Sequence, residues 1–173
     1  MNARTLIFTG DGKGKTTAAF GMALRASGHG QRVLVIQFLK SNANTGELRA
    51  CASLPGVEVI QMGAGFVPKP DHPEYARHLA KAREALAFAR EKIEVIYYDL
   101  IILDEICGAI SLKLIEEQAV IEMINAPGRA ARLVLTGRNA SQALIAQADT
   151  VTEMRCVRHG YTQGIPAQKG VEF

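Results

Sequence analysis

The feature that most constrains this chain is a glycine-rich segment between a short apolar run and a helical pattern. Residues 10–17 read Gly-Asp-Gly-Lys-Gly-Lys-Thr-Thr and follow the apolar residues 6–8. In such an arrangement, backbone N–H groups and the N-terminus of a helix surround phosphate oxygens, while a lysine adds positive charge. Lys15 and Thr16 stand where the motif requires that lysine and a hydroxyl ligand of Mg²⁺. A nucleoside triphosphate with a divalent metal ion is therefore predicted to bind the loop residues Gly10, Asp11, Gly12, Lys13, Gly14, Lys15, Thr16 and Thr17.

The spacing of these glycines departs from the common phosphate-loop pattern. That pattern, G-x-x-x-x-G-K-[ST], would place its first glycine at position 9, where this chain has Thr9. The glycines fall instead at positions 10, 12 and 14. The usual pose of the triphosphate is therefore not assumed for this loop.

Short apolar runs alternate with helical patterns along the rest of the chain. Strands are predicted at residues 5–8, 33–38, 57–60, 100–103, 133–136 and 151–154. Helices are predicted at residues 16–27, from about 73 onward, at 114–124 and at 141–147, and residues 46–53 are compatible with a short helix. Residues 95–98 fit either the long helix or a strand. This alternation predicts an α/β fold with three layers and a mostly parallel sheet, and 173 residues fit one domain, 1–173.

A second half of the site is predicted where later strands end. The apolar residues 100–103 lead directly into Asp104 and Glu105, at the sheet edge where the glycine loop also opens. Asp104 is expected to hold Mg²⁺ through water, and Glu105 is either a metal ligand or a general base. Arg138 follows the fifth strand at the same edge, where it fits a phosphate contact and a surface turn about equally well.

Composition and charge exclude several other classes of protein. A net charge of +3 suits an anionic small molecule, and 6% aromatic residues without Trp give little support for stacking on single-stranded nucleic acid. No apolar run approaches the roughly 20 residues that span a bilayer. The first strand begins too near Met1 to leave room for a secretory signal, and three widely spaced cysteines form no CxxC pair. A cytoplasmic protein without a membrane or nucleic-acid partner is expected.

Taken together, the motifs resemble one family from end to end, the ATP:corrinoid adenosyltransferases. The resemblance is carried by the loop within residues 8–21 and by residues 23–26, 28–30, 35–40, 46–47, 65–66, 102–105, 135–138, 148–154, 157–159 and 164–173. The Thr-Gly-Arg segment at 136–138, the Ala-Asp segment at 148–149 and the carboxyl-terminal segment are the most specific of these. The resemblance implies a P-loop NTPase fold of the RecA-like type. It also implies that a Co(I) corrinoid attacks carbon 5′ of ATP and releases inorganic triphosphate.

Roles for individual residues also follow from the resemblance. Lys15, Thr16 and Glu105 match the catalytic positions, with Thr16, Asp104 and Glu105 at the Mg²⁺ site. Arg25 and Arg138 would be additional triphosphate contacts, and Phe66 would pack on the corrinoid. The implied partners are ATP, a reduced corrinoid, a flavoprotein reductant and a second copy of the chain in a homodimer.

Two departures from the family pattern are visible. Pro68 stands where better-studied members carry a tryptophan, two residues after the phenylalanine that Phe66 matches. The first predicted strand starts almost at Met1, whereas members often have an amino-terminal extension over the active site. Two other functions therefore stay open: an ordinary P-loop ATPase or kinase, and a nucleotide-sensing module without catalysis.

Overall fold

The computed structural model describes residues 3–42, 44–95 and 97–171, and these ranges form a six-stranded sheet with helices. The strands are β1 (Thr5–Thr9), β2 (Val33–Gln37), β3 (Val57–Gln61), β4 (Leu100–Asp104), β5 (Arg132–Thr136) and β6 (Thr150–Glu153). The helices are α1 (Lys15–Gly28), α2 (Gly46–Cys51), α3 (Tyr75–Glu94), α4 (Ile106–Ser111), α5 (Glu117–Ile124) and α6 (Gln142–Ile145). A short 3₁₀ helix, Gly160–Gln163, follows β6.

All five strand pairings are parallel, and the strand order is β3-β2-β4-β5-β1-β6. Strand β5 lies between β1, which leads into the glycine loop, and β4, which carries the acidic pair. The carboxyl ends of all six strands therefore meet at one edge of the sheet. The parallel α/β architecture confirms the predicted fold.

The apolar residues of β2 show why helices cover both faces of the sheet. Val33 and Val35 belong to the core cluster that contains α1 and Cys51 of α2. Leu34 and Ile36 belong to the other cluster, with buried residues of α3, α4 and α5. Successive side chains of a strand point to opposite faces, so an unbroken apolar run requires cover on each side. The three-layer arrangement follows from this pattern.

The predicted helix at 114–124 is wrong in its first part, and α4 was not predicted. Leu114 and Ile115 are buried outside any helix, and Glu116 has an extended backbone (φ −76°, ψ 131°) just before α5. Helix α4 has only six residues, four of which are buried. So short and apolar a segment has no polar face from which a helical period could be read.

The remaining boundaries lie close to the predicted ones. The long helix ends at Glu94 and β4 begins at Leu100; of the ambiguous segment 95–98, residue 96 lies outside the described residues. The terminal segment has no regular element from 164 to 171, and residues 172 and 173 also lie outside the described part. Within the described ranges, every helix is too short or too polar to cross a lipid bilayer.

Candidate functional site

The glycine loop connects β1 to α1, and each of its glycines has a physical reason. Gly14 has a φ of 114° immediately before the first turn of α1, a conformation that residues with a side chain rarely adopt. A Cβ atom at Gly10 or Gly12 would lie 2.5 or 2.6 Å from the carbonyl oxygen of Met154. Gly12 also donates its N–H to that oxygen at 2.7 Å. The segment after β6 thus packs directly against the loop and requires glycines there.

Lys15 points its ammonium group into this loop. Its Nζ donates hydrogen bonds to the carbonyl oxygens of Gly10 at 2.8 Å and Gly12 at 2.7 Å. Only 7% of the residue is exposed. Burial lowers the pKa of Lys15, and the negative charge of Glu105 partly opposes that shift. The loop therefore already contains a desolvated positive charge of the kind that binds phosphate oxygens.

Asp104 is fully buried at the end of β4 and joins three elements around the loop. Thr16 and Thr136 each donate a hydroxyl hydrogen bond to its Oδ1 at 2.8 Å. Gln37 donates from Nε2 to Oδ2 at 2.8 Å, and the Nζ of Lys40 lies 3.5 Å from Oδ2. Both oxygens of this carboxylate are therefore satisfied by protein groups from α1, β5 and the end of β2.

Glu105 follows in a left-handed conformation (φ 63°) and turns its carboxylate toward the cleft. Its backbone N–H donates to the Thr136 hydroxyl oxygen at 2.9 Å, which fixes the turn. Burial, followed by the negative charge of Asp104, raises the pKa of Glu105. Three nearby cations oppose this shift: Lys15, Lys40 and Arg138. A partly desolvated carboxylate that faces a cleft is a group that can hold a metal ion or a proton.

A cleft of about 870 Å³ runs along the carboxyl edge of the sheet. The glycine loop, Glu105 and Arg138 form its middle, and residues 39–42, Glu47 and residues 65–67 line the β2 side. Phe66 lies there with 95% of its surface exposed. His159 and Val171 line the other side, beyond the loop, where the Nζ of Lys13 donates to the Val171 carbonyl oxygen at 2.6 Å.

The structure brings most of the predicted site residues together. Residues 11–17, Phe66, Glu105 and Arg138 line one cleft, and Asp104 lies beneath it in contact with Thr16. Gly10 does not line the cleft itself, but its carbonyl oxygen accepts a hydrogen bond from Lys15.

Arg25 is the exception. It is exposed in the last turn of α1, ten residues after Lys15, which corresponds to about 15 Å along a helix. The predicted contact of Arg25 with the triphosphate is therefore not supported within one chain, because the residue lies at the opposite end of α1 from the loop.

Four further residues belong to the site and were given no role from the sequence, although they lie in segments that carry the family resemblance: Gln37, Lys40, Glu47 and Thr136. Gln37 is paired in register with Asp104 on the neighbouring strand β4. A polar residue at the end of an apolar strand was the available signal for Gln37 and Thr136, because such ends meet at one edge of a parallel sheet. Glu47 had no signal beyond its place in one of those segments, since an acid in the first turn of a helix is common.

Comparisons with known proteins give sequence matches over nearly the whole chain. The sequence profile of a family described as ATP:corrinoid adenosyltransferase BtuR/CobO/CobP matches residues 2–173. A corrinoid adenosyltransferase of Pseudomonas aeruginosa is 41% identical over 169 residues, covering 97% of this chain and 82% of that protein. Relatives with the same designation from Escherichia coli K12 and Salmonella typhimurium are 35% and 34% identical, each over 97% of this chain and 84% of theirs.

Solved structures with a similar fold are much more distant in sequence. ATPases 2 and 3 of EssC from Geobacillus thermodenitrificans match with a TM-score of 0.52 at 11% identity, over 97% of this chain and 35% of that one. The flagellar accessory protein FlaH of Methanocaldococcus jannaschii matches with a TM-score of 0.54 at 10% identity, over 86% of this chain and 69% of that one. These matches support the fold alone, whereas the sequence matches confirm the resemblance to corrinoid adenosyltransferases.

Proposed function

Because this chain belongs to the ATP:corrinoid adenosyltransferase family, we propose that it transfers the 5′-deoxyadenosyl group of ATP to the Co(I) of a reduced corrinoid. Inorganic triphosphate is the second product. One observation carries this proposal beyond family membership: the exposed ring of Phe66 and the phosphate loop line the same cleft.

The size and lining of the cleft fit two substrates better than one. Hydrolysis of ATP requires a phosphate site and a positioned water, and neither needs an exposed aromatic ring on the far wall. A corrinoid presents a broad flat face, and aromatic rings such as Phe66 pack well on such surfaces. The cleft volume of about 870 Å³ falls in the upper range of ligand pockets. A nucleotide bound at the phosphate loop and a tetrapyrrole packed against Phe66 would together explain why one side of the cleft is charged and the other carries an exposed aromatic ring.

The triphosphate is the leaving group of this reaction, and the site supplies what such a group needs. Negative charge develops on the triphosphate as the bond to carbon 5′ breaks. We expect the ammonium of Lys15, the N–H groups of the loop and the guanidinium of Arg138 to meet that charge, because all of them belong to this cleft. Co(I) is already a nucleophile, so no residue has to remove a proton from it. Glu105 is therefore proposed as a metal-binding carboxylate rather than a general base.

The residues present fit a Mg²⁺ ion bound together with the triphosphate. Hydroxyl and carboxylate oxygens are the ligands that Mg²⁺ prefers, usually few in number and completed by phosphate and water. Among the described residues, no three His, Cys, Asp or Glu side chains form a metal-binding group of their own. Thr16 and Glu105 would hold the ion directly and Asp104 through water, because the oxygens of Asp104 already accept hydrogen bonds. When bound, the ion would neutralise charge on the triphosphate oxygens.

Further properties are proposed by analogy with the family. We expect a homodimer in the cytoplasm and a flavoprotein that reduces the corrinoid to Co(I). Phe66 would pack on the corrinoid without the neighbouring tryptophan, since Pro68 occupies that position.

The test supplies purified protein with ATP, Mg²⁺ and a chemically reduced corrinoid. A light-sensitive alkylcobalt product and inorganic triphosphate should form in equal amounts. Release of γ-phosphate without corrinoid would instead indicate an ordinary ATPase, and ATP binding without either product would indicate a nucleotide-sensing module. Either of those two results would refute the proposed transfer.

A further inference from the structure

Glu47 is an acidic side chain without an assigned partner in a cleft that contains several cations. Three acids line this cleft: Asp11, Glu47 and Glu105. The Asp11 carboxylate accepts a hydrogen bond from the N–H of Cys156 at 3.2 Å, and Glu105 lies beside the proposed metal site. Glu47 has no hydrogen bond or ion pair within the part of the chain that the structure describes. Its carboxylate is therefore available to a ligand.

The position of Glu47 shows which part of a nucleotide could reach it. It lies in the first turn of α2, which follows β2, and β2 is separated from the loop strand β1 by β4 and β5. A triphosphate in the loop could direct its nucleoside toward β2 or past the loop toward the segment after β6. On that second side Val171 holds Lys13 through its carbonyl oxygen and forms a wall. The β2 side leads instead to Glu47 and Phe66.

The chemistry of a carboxylate restricts the partner further. An ionised carboxylate only accepts hydrogen bonds, so it repels phosphate oxygens and requires a group with O–H or N–H donors. The ribose of ATP offers two adjacent hydroxyl groups, which the two oxygens of one carboxylate can accept together. An acidic side chain is a known solution for binding ribose hydroxyls in other nucleotide folds.

We propose that Glu47 binds the 2′- and 3′-hydroxyl groups of the ATP ribose and so orients carbon 5′ toward the corrinoid. Glu47 is then a specificity-determining residue that distinguishes ribonucleotides from their deoxy analogues. This inference rests on the proposed function, because that function requires carbon 5′ of the ribose to face the corrinoid. The recognition of the hydroxyl groups can be measured without any corrinoid.

The experiment compares three probes by equilibrium binding with Mg²⁺ present: ATP, 2′,3′-dideoxy-ATP and inorganic triphosphate. The wild-type protein should bind ATP about 10- to 100-fold more tightly than the dideoxy analogue, as expected for hydrogen bonds to a charged group. Glu47→Gln should reduce that ratio to within about threefold, since the neutral amide gains less from each hydroxyl. Its affinity for inorganic triphosphate should equal that of the wild type, which also shows that the variant is folded.

Glu94→Gln serves as the matched control. Glu94 is exposed at the end of α3, on the side of the sheet where β4 begins and away from the cleft. This variant should keep the wild-type ratio between ATP and the dideoxy analogue.

An unchanged ratio in Glu47→Gln would overturn the inference, as would a wild-type protein that does not distinguish the two nucleotides. An increased KM for the corrinoid with an unchanged nucleotide ratio would also overturn it and place Glu47 against the corrinoid. Failure of the wild type to form an alkylcobalt product would refute the proposed function alone, because the nucleotide ratio is measured separately.

Discussion

Thr136 offers the sharpest test of how the acidic end of β4 is held. Its hydroxyl donates to Oδ1 of Asp104 at 2.8 Å and accepts the N–H of Glu105 at 2.9 Å. The residue is fully buried at the end of β5. Thr136→Val keeps the shape of the side chain and removes only the hydroxyl group, so both hydrogen bonds are lost without a large cavity.

The loss of stability in Thr136→Val depends on the hydrogen-bond partners that Asp104 and Glu105 keep. Asp104 still accepts hydrogen bonds from Thr16 and Gln37. Losing the hydrogen bond from Thr136 should therefore cost about 1.5 kcal/mol, the low end of the range for hydrogen bonds to charged groups. The N–H of Glu105 is partly buried and loses the acceptor described above, so its cost lies toward the low end of the about 1–3 kcal/mol of an unsatisfied buried donor. The variant should therefore be destabilised by about 3 kcal/mol, which lowers Tm by about 6–12 °C in a domain of this size.

Thr136→Ser is the matched control, because it keeps the hydroxyl and removes one buried methyl group, at a cost of about 1 kcal/mol. Urea unfolding at neutral pH measures the three proteins, and adenosyl transfer measures the site. We expect Thr136→Val to be less stable than Thr136→Ser and also less active, since the turn at Glu105 loses its anchor. Equal stability of the two variants would refute this prediction, because the hydrogen bonds of Thr136 would then contribute no more than one buried methyl group.

Three further predictions concern the loop and Glu105. Lys15→Ala should weaken binding of inorganic triphosphate by about 10- to 100-fold in calorimetry, because it removes a charged donor; an unchanged affinity would contradict the site. Burial raises the pKa of Glu105, so its charge costs folding stability as pH rises above the ordinary glutamate value, and this cost is relieved at acid pH. In urea unfolding, Glu105→Gln should therefore be more stable than the wild type at pH 8 but not at pH 4. The variant should lose more Mg²⁺-dependent turnover than nucleotide affinity. Equal stability of the two proteins at both pH values would count against this reasoning. Gly12→Ala would place a Cβ atom 2.6 Å from the Met154 carbonyl oxygen and should lower the free energy of unfolding by about 1–3 kcal/mol. At Gly21 an added Cβ atom would have no other atom within 4 Å, so Gly21→Ala should stabilise α1 by about 1 kcal/mol. Thermal unfolding measures both variants.

The middle of the sheet could be predicted because strands β2 and β4 are apolar on both faces. Residues 33–36 and 100–103 are continuous apolar runs, and each forms a buried strand close to the predicted bounds. Such runs identify a strand with helices on both sides whatever its neighbours are. Strand order was not available from the sequence, since the placement of β5 between β1 and β4 depends on contacts between distant segments.

The sequence was least informative about a short helix and about the distance of a residue from the loop along a helix. Helix α4, Ile106–Ser111, was missed because six mostly apolar residues show no period, while the buried Leu114 and Ile115 suggested an earlier start for α5. Arg25 was assigned to the triphosphate from a sequence resemblance that carries no distances. Its place in the last turn of α1 separates it from the loop.

The order of the strands explains how the two acids come to have different roles. Asp104 is flanked by β2 and β5, and the ends of both strands supply polar groups: Gln37 at Oδ2 and Thr136 at Oδ1. Thr16 is also bonded to Oδ1, and the Nζ of Lys40 lies 3.5 Å from Oδ2, so four protein groups surround this carboxylate. The backbone then reverses into the left-handed conformation at Glu105, which turns the next carboxylate toward the cleft. Asp104 thus holds the hydroxyl groups of Thr16 and Thr136, the second of which also anchors the Glu105 turn. Glu105 is the carboxylate that we propose for direct contact with a metal ion, because its side chain faces the cleft.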